Sequence, residues 1–136
     1  MYIRVNQIRE KGTEAVYGPD DVFRLVKKHS RLDRETLFIL LFDAKNKLIA
    51  EEVHTIGTID SCSAYPREIV KSALLRNAVS IAMVHNHPSG NPEPSVHDIE
   101  ITKRTINACE LLDIKVLDHI ILGDSEFYSM TDNGDI

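Results

Sequence analysis

His85 and His87 stand one residue apart, directly after the apolar run Ser80-Ile81-Ala82-Met83-Val84, and Asp98 follows at the start of a helical pattern. Residues i and i+2 of a strand point to the same side, so the two imidazoles can converge on one ion from the strand's C-terminal end. Two ring nitrogens and a carboxylate oxygen are the three-ligand set of a catalytic zinc centre, in which the fourth position is left to water. A structural centre would be closed, usually with cysteines. Mn²⁺ or Fe²⁺ would fit similar ligands, so Zn²⁺ is the expected cofactor without being the only one the donors admit. The plain alternative, a polar loop after a strand, would leave two imidazoles on one side in need of partners. Pro88, Gly90, Pro92 and Pro94 stiffen the stretch between the ligands and lower the entropy cost of holding an open site.

The spacing is also a family pattern. His85-x-His87, seven residues, then Ser95-x-x-Asp98 reads H-x-H-x7-S-x-x-D. It resembles the signature of the JAMM (MPN-domain) metalloprotease superfamily, and His85-Asn86-His87-Pro88-Ser89-Gly90 is similar in wording to its RadC branch. The resemblance runs from about Asp20 to Tyr128, through Gly57-Thr58, Pro66-Arg67-Glu68 and Leu117-Asp118-His119. It implies a JAMM/MPN, cytidine-deaminase-like fold in which His85, His87 and Asp98 hold Zn²⁺. It further implies that Ser95 donates to a developing oxyanion and that an amide, peptide or isopeptide bond of a peptide or protein is cleaved. Ser95-x-x-Asp98 is a helix capping box in its own right. The two jobs are compatible, since Ser95 can cap while its hydroxyl or a neighbouring amide meets a substrate oxygen.

The elements that must position these residues follow from periodicity and punctuation. Residues 2–9 alternate loosely, and 1–18 reads as an N-terminal arm or edge strand. Pro19-Asp20-Asp21 opens a helix over about 20–30. Thr36 to Phe42 is a continuous apolar run without a polar face, hence a strand covered on both sides. The polar turn 43–47 and the run 48–55 complete a hairpin. Pro66 starts a helix over 66–78, with Ile69, Val70, Ala73, Leu74 and Ala78 on one face, and 80–84 is a third strand. A further helix runs from Pro94-Ser95 to about Leu112, with Ile99, Ile106, Cys109 and Leu112 near one face. Strands at 116–122 and 127–130 follow, and 131–136 is expected to fray. The sum is a single α/β domain over 1–136, three-layered, with a mixed and mostly antiparallel sheet flanked by helices.

The resemblance implies a glutamate base on an earlier strand without fixing which one, and topology chooses. The hairpin sets strand 36–42 antiparallel to 48–55, and the crossover helix sets 80–84 parallel to 48–55. The start of the first strand then shares an edge with the end of the third, so Glu35 lies by His85 while Glu51 and Glu52 fall mid-strand. Family wording agrees, a glutamate shortly before an apolar strand. The rival reading of Glu35 is a solvated acid. His54 reaches the same edge as a second partner to the ligands. His97 is expected to be exposed, His119 to be hydrogen-bonded at the sheet, and His29 to suit a helix C-terminus without further role.

With 136 residues, 43% apolar and 27% charged, the chain is an ordinary one-domain size and composition. It has no apolar signal core and no run approaching the roughly 20 residues of a membrane span, so a cytoplasmic location is expected by default. Cys62 and Cys109 read as reduced and buried rather than as a disulfide. The net charge of −5 argues against a broad nucleic-acid footprint. The basic residues Arg24, Lys27, Lys28, Arg31 and Arg34 read as one solvated helix face. Two rival functions remain. RadC-like proteins carry a DNA-repair label, so nucleic acid is a weaker candidate partner; the likeness of His85-Asn86-His87 to the letters of HNH nucleases is superficial. A non-catalytic binding or scaffold module is the other, disfavoured by the full ligand set. Oligomeric state is not encoded in any heptad or patch.

Overall fold

The computed structural model describes residues 3–6, 15–57 and 65–136, the first four as backbone only. Within the expected arm, Ile3–Asn6 form β1, which pairs with β3 at one edge of the sheet. The rest of that arm from residue 7 to 14, Thr58 and Cys62 lie outside the described residues.

β2 (Thr36–Phe42) is buried along its whole length, as a run without a polar face demands. Asp43 shapes the following turn, its Oδ1 accepting from the amides of Lys45 at 2.8 Å and Lys47 at 3.0 Å. β3 (Leu48–Ile56) then returns antiparallel. With β4 (Ser80–Asn86), β5 (Lys115–Leu122) and β6 (Phe127–Ser129) these strands form one sheet in the order β1-β3-β2-β4-β5-β6. β4 and β5 are the one parallel pair and all other neighbours are antiparallel. The domain is therefore α/β with a mixed sheet, as expected, and β4 does run antiparallel to β2.

Strand alternation sorts the core into two layers. Leu37, Ile39, Leu41, Ile81 and Met83 pack with Ile69 and Ala73 of α2 (Pro66–Leu75) and Ile101 and Cys109 of α3 (Val96–Glu110). Phe38, Leu40, Phe42, Ala82 and Val84 face Val22 and Val26 of α1 (Pro19–Val26) on the other side. Cys109 is a free, buried thiol.

Two helix ends and one helix face differ from expectation. α1 stops at Val26 and tightens into a 3-10 turn over Lys27–Arg31, a common way to end a helix. α2 stops three residues early because Asn77 takes a left-handed φ of 55° and Ala78 N–H reaches back to Ala73 O at 2.8 Å. α3 is rotated relative to the apolar reading: Asp98, Ile101, Thr102, Thr105 and Cys109 are buried, Ile99 and Ile106 are half-buried, and Leu112 is 49% exposed beyond the helix end. The tail 131–136 makes turns rather than open chain, with Asp135 N–H on Met130 O at 2.9 Å and Tyr128 Oη on Asp135 Oδ2 at 2.6 Å. Among the described residues no helix is long and apolar enough to cross a membrane.

Candidate metal centre

His85 occupies the β4 position after Ile81 and Met83 on the face that looks toward α3, and it pairs across the sheet with Leu37. Glu35 precedes Leu37 by two residues and His87 follows His85 by two, so all three belong to that face. Asp98 arrives from the first turn of α3. The result is a cluster in which Glu35, His85, His87 and Asp98 each offer one ligand atom within 4.8 Å of all the others.

The individual distances are graded. His85 Nε2 lies 3.3 Å from Asp98 Oδ1, His87 Nε2 3.4 Å from Asp98 Oδ2, and the two Nε2 atoms are 2.8 Å apart. Ligand atoms about 2.0–2.1 Å from a tetrahedral ion lie about 3.3–3.4 Å from one another, so the His–Asp edges fit zinc and the His–His edge is somewhat short. Glu35 Oε1 stands farther out, 3.7 Å from both Nε2 atoms.

Hydrogen bonding fixes what those nitrogens present. His87 Nδ1 is 2.8 Å from Asn91 O, which only accepts, so Nδ1 carries the proton and Nε2 the lone pair. For His85 the same conclusion follows through a relay. Thr102 Oγ1 donates to Asp98 O at 2.6 Å, so it must accept from His119 Nδ1 at 2.5 Å. His119 Nε2 is then an acceptor and takes the proton of His85 Nδ1 at 2.7 Å, leaving His85 Nε2 bare. Two lone pairs facing each other at 2.8 Å beside a carboxylate require a shared cation, a proton or a metal ion. The fixed tautomers are those that metal-ligating histidines use, and the donor set fits a divalent ion.

The electrostatics agree. Burial would raise the Asp98 carboxyl, but the imidazoles of His85 and His87, when the cation they share at Nε2 is a proton, and the Ser95 amide together hold it well below the ordinary carboxylate range. Burial raises Glu35 above its usual value, with the two imidazoles opposing and Asp98 adding to it. Burial lowers His87, yet its bonds to Asp98 and Asn91 and the nearby carboxylates leave it raised. His119 is fully buried, and burial followed by the charge of His85 keeps it well below its usual value, neutral as the relay requires.

Ser95 is exposed at the N-cap of α3: its Oγ accepts from Asp98 N–H at 3.1 Å, and its own N–H donates to Asp98 Oδ2 at 2.8 Å. It therefore performs the capping job, and its hydroxyl proton stays available. The other acids weighed for the base are engaged elsewhere. Glu51 pairs with His29 and Glu52 with Arg76 at 3.2 Å. His29, which sequence left without a role, thus holds a buried carboxylate and stacks on Phe38 at 4.1 Å. His54 does not join the cluster, because its Nε2 accepts from Tyr65 N–H at 3.1 Å. His97 is exposed.

A family model described as "RadC-like JAB domain" matches residues 16–135. The chain belongs to the RadC-like JAB family. Its curated relatives include a UPF0758 protein of Desulforamulus reducens, 50% identical over 117 residues, which are 85% of this chain and 52% of that protein. A UPF0758 protein of Methanosarcina acetivorans is 41% identical over 132 residues, 96% of this chain and 58% of its own length. One of Caldanaerobacter subterraneus is 44% identical over 121 residues, 88% and 52% respectively. The chain thus spans little more than half the length of the RadC-like relatives it matches.

Two residues that shape this RadC-like centre escaped the sequence reading. Thr102 has a signal in hindsight, a polar residue one turn after Asp98 on the buried face. Asn86 has none by type: it sits between the histidines and points to the opposite face of the sheet, where Oδ1 accepts from Thr36 N–H at 2.9 Å.

Proposed function

We propose that this RadC-like domain is a zinc-dependent hydrolase of the JAMM type that cleaves an amide, peptide or isopeptide bond of a peptide or protein. The observation that carries the reading is the convergence of the Nε2 atoms of His85 and His87 on each other at 2.8 Å beside the Asp98 carboxylate, with Glu35 set back from them. His85, His87 and Asp98 hold the ion. A divalent ion there supplies Lewis acidity and lowers the pKa of a water it binds from 15.7 to about 7. Glu35 sits beside both ligand nitrogens, and burial raises its pKa and so strengthens it as a base, the place and chemistry for taking a proton and passing it to a leaving amine. Ser95 offers its hydroxyl proton to the oxyanion, a contact that in other hydrolases is worth about 3 kcal/mol.

The test begins with elemental analysis of protein purified without chelator or affinity metal. About one zinc per chain in the wild type, absent from His85→Ala/His87→Ala, is expected. Peptide and isopeptide libraries then supply a substrate, on which Glu35→Gln should lose turnover while retaining zinc. Full activity in Glu35→Gln removes Glu35 from the mechanism, and a wild type that takes up no metal even when zinc is added removes the reading altogether.

A further inference from the structure

Asn86 is fully buried and touches neither metal ligand through its side chain, yet it makes three hydrogen bonds to a single segment. Oδ1 accepts from Thr36 N–H at 2.9 Å, and Nδ2 donates to Leu32 O at 3.2 Å and Arg34 O at 3.1 Å. These partners bracket Glu35. The backbone of Glu35 itself is held from the other side, its carbonyl accepting from Gly57 N–H at 2.6 Å.

The position is informative. The β2–β4 ladder runs from Phe42↔Ser80 to Leu37↔His85. One step further, Thr36 would pair with Asn86, and two steps further Glu35 would lie directly across from His87, with Cα atoms about 4.5–5.5 Å apart. Instead the carboxamide of Asn86 stands where the backbone of β4 would have paired. It satisfies the N–H and C=O groups of β2 and its approach while ending the ladder. The two strands can then diverge where Glu35 and His87 must stand on either side of a metal-sized space, their atoms 3.7 Å apart.

We infer that Asn86 is the positioning residue for Glu35: its carboxamide replaces the last rungs of the ladder and sets the distance between the Glu35 carboxylate and the histidine pair. The alternation of β4 lets three consecutive residues do two jobs, with His85 and His87 facing the ion and Asn86 clamping the glutamate's segment from the opposite face. The inference rests on Glu35 acting beside the metal, as proposed above. Its hydrogen-bond component stands without that reading.

The experiment loads the full chain with Co²⁺ as a spectroscopic probe in wild type, Glu35→Gln, Asn86→Ala, Asn86→Asp and the Glu35→Gln/Asn86→Ala double variant. All should bind one Co²⁺ with affinity within about threefold of wild type, because no ligand is touched. Asn86→Ala should change the visible Co²⁺ bands in the direction that Glu35→Gln does and add nothing in the Glu35→Gln background. Amide exchange at Thr36 should accelerate by about tenfold or more in Asn86→Ala. Asn86→Asp keeps the acceptor for that amide, so exchange there should remain near wild type; this variant also covers the case in which Asn86→Ala does not fold. Wild-type bands in Asn86→Ala beside altered bands in Glu35→Gln overturn the inference, as does loss of Co²⁺ from Asn86→Ala. Bands unchanged by Glu35→Gln itself count against the glutamate's role, and the exchange rates then decide alone whether Asn86 holds the segment.

Discussion

Thr102→Val tests the relay behind His85 with almost no change of volume. Among the described residues Thr102 Oγ1 is the acceptor for His119 Nδ1, and both side chains are fully buried. The carbonyl of Asp98 loses a 2.6 Å bond but keeps its place in the helix ladder, so the cost falls on the imidazole. A buried N–H without a partner costs about 1–3 kcal/mol. The metal-free variant can relieve that cost by moving the His119 proton to Nε2, which obliges His85 to accept at Nδ1 and carry its own proton on Nε2. That tautomer cannot ligate. Metal binding must reverse it, so the cost reappears as weaker affinity, about 5- to 150-fold in Kd. This brackets the 10- to 100-fold that removing outer partners of metal ligands usually costs. The assay is competition for Zn²⁺ against a chelating fluorophore at fixed pH, with Thr102→Ser as the control, since it keeps the hydroxyl and should stay within about threefold of wild type. A Thr102→Val affinity within twofold of wild type would refute the relay and the tautomer assignment with it.

Two further predictions read the surroundings of the site. A Cβ at Gly123 would stand 2.6 Å from Gly90 O and 2.9 Å from Pro92 Cδ, so Gly123→Ala must push away the loop whose Asn91 carbonyl orients His87; thermal unfolding should show a loss of about 1–3 kcal/mol, and a midpoint equal to wild type would deny the close packing. The pH dependence of the metal-free protein follows from its imidazoles. His54, held at about 4 mainly by burial, and His119, held low for the same first reason, bind fewer protons than the unfolded chain below 6.5, so their contribution falls as pH drops through that range. His87 is raised and works oppositely: its contribution is present below 6.5 and lost as pH rises through its folded value. Asp98, depressed, contributes above about 4 and is lost only under stronger acid. Two against one, urea midpoints should decline between pH 7 and 5 by the equivalent of about 1–3 kcal/mol, whereas level or rising midpoints would contradict the burial of His54 and His119 as neutral rings.

How far the sequence reaches depends on which force shapes each part. β2 was legible to the residue because a seven-residue apolar run can only be a covered strand. The edge shared by Glu35 and His85 followed from chain direction alone, since a hairpin and a crossover leave little freedom. The face of α3 was misread for the opposite reason: Asp98 and Thr102 occupy core-facing positions that an amphipathic pattern reserves for apolar side chains, Asp98 meeting the two imidazoles there and Thr102 meeting His119. His29 and Glu51 were opaque because their pairing joins residues distant in sequence by contacts that no local periodicity encodes. Asn86 was hidden by its neighbours, its parity placing it on the face where no chemistry was being sought.

The placement of Asp98 sets a sharper constraint than ligand counting does. The N-terminal end of a helix carries partial positive charge and exposed N–H groups, an environment that repels a cation. A metal site there needs a group that reverses the local field before it can attract an ion. Asp98 does this from the third helical position: Oδ2 accepts the Ser95 N–H, the Ser95 hydroxyl accepts the Asp98 N–H, and both oxygens still face the imidazoles. The carboxylate thereby closes the helix end, neutralises its dipole and offers charge to the ion at once. Its backbone carbonyl also terminates the relay that holds His85. A third histidine would be an equally good zinc ligand in isolation. Here it could neither accept from the Ser95 amide while ligating nor offset the helix dipole, so the fold, and not the metal, dictates that a ligand at this position of the proposed centre is an acid.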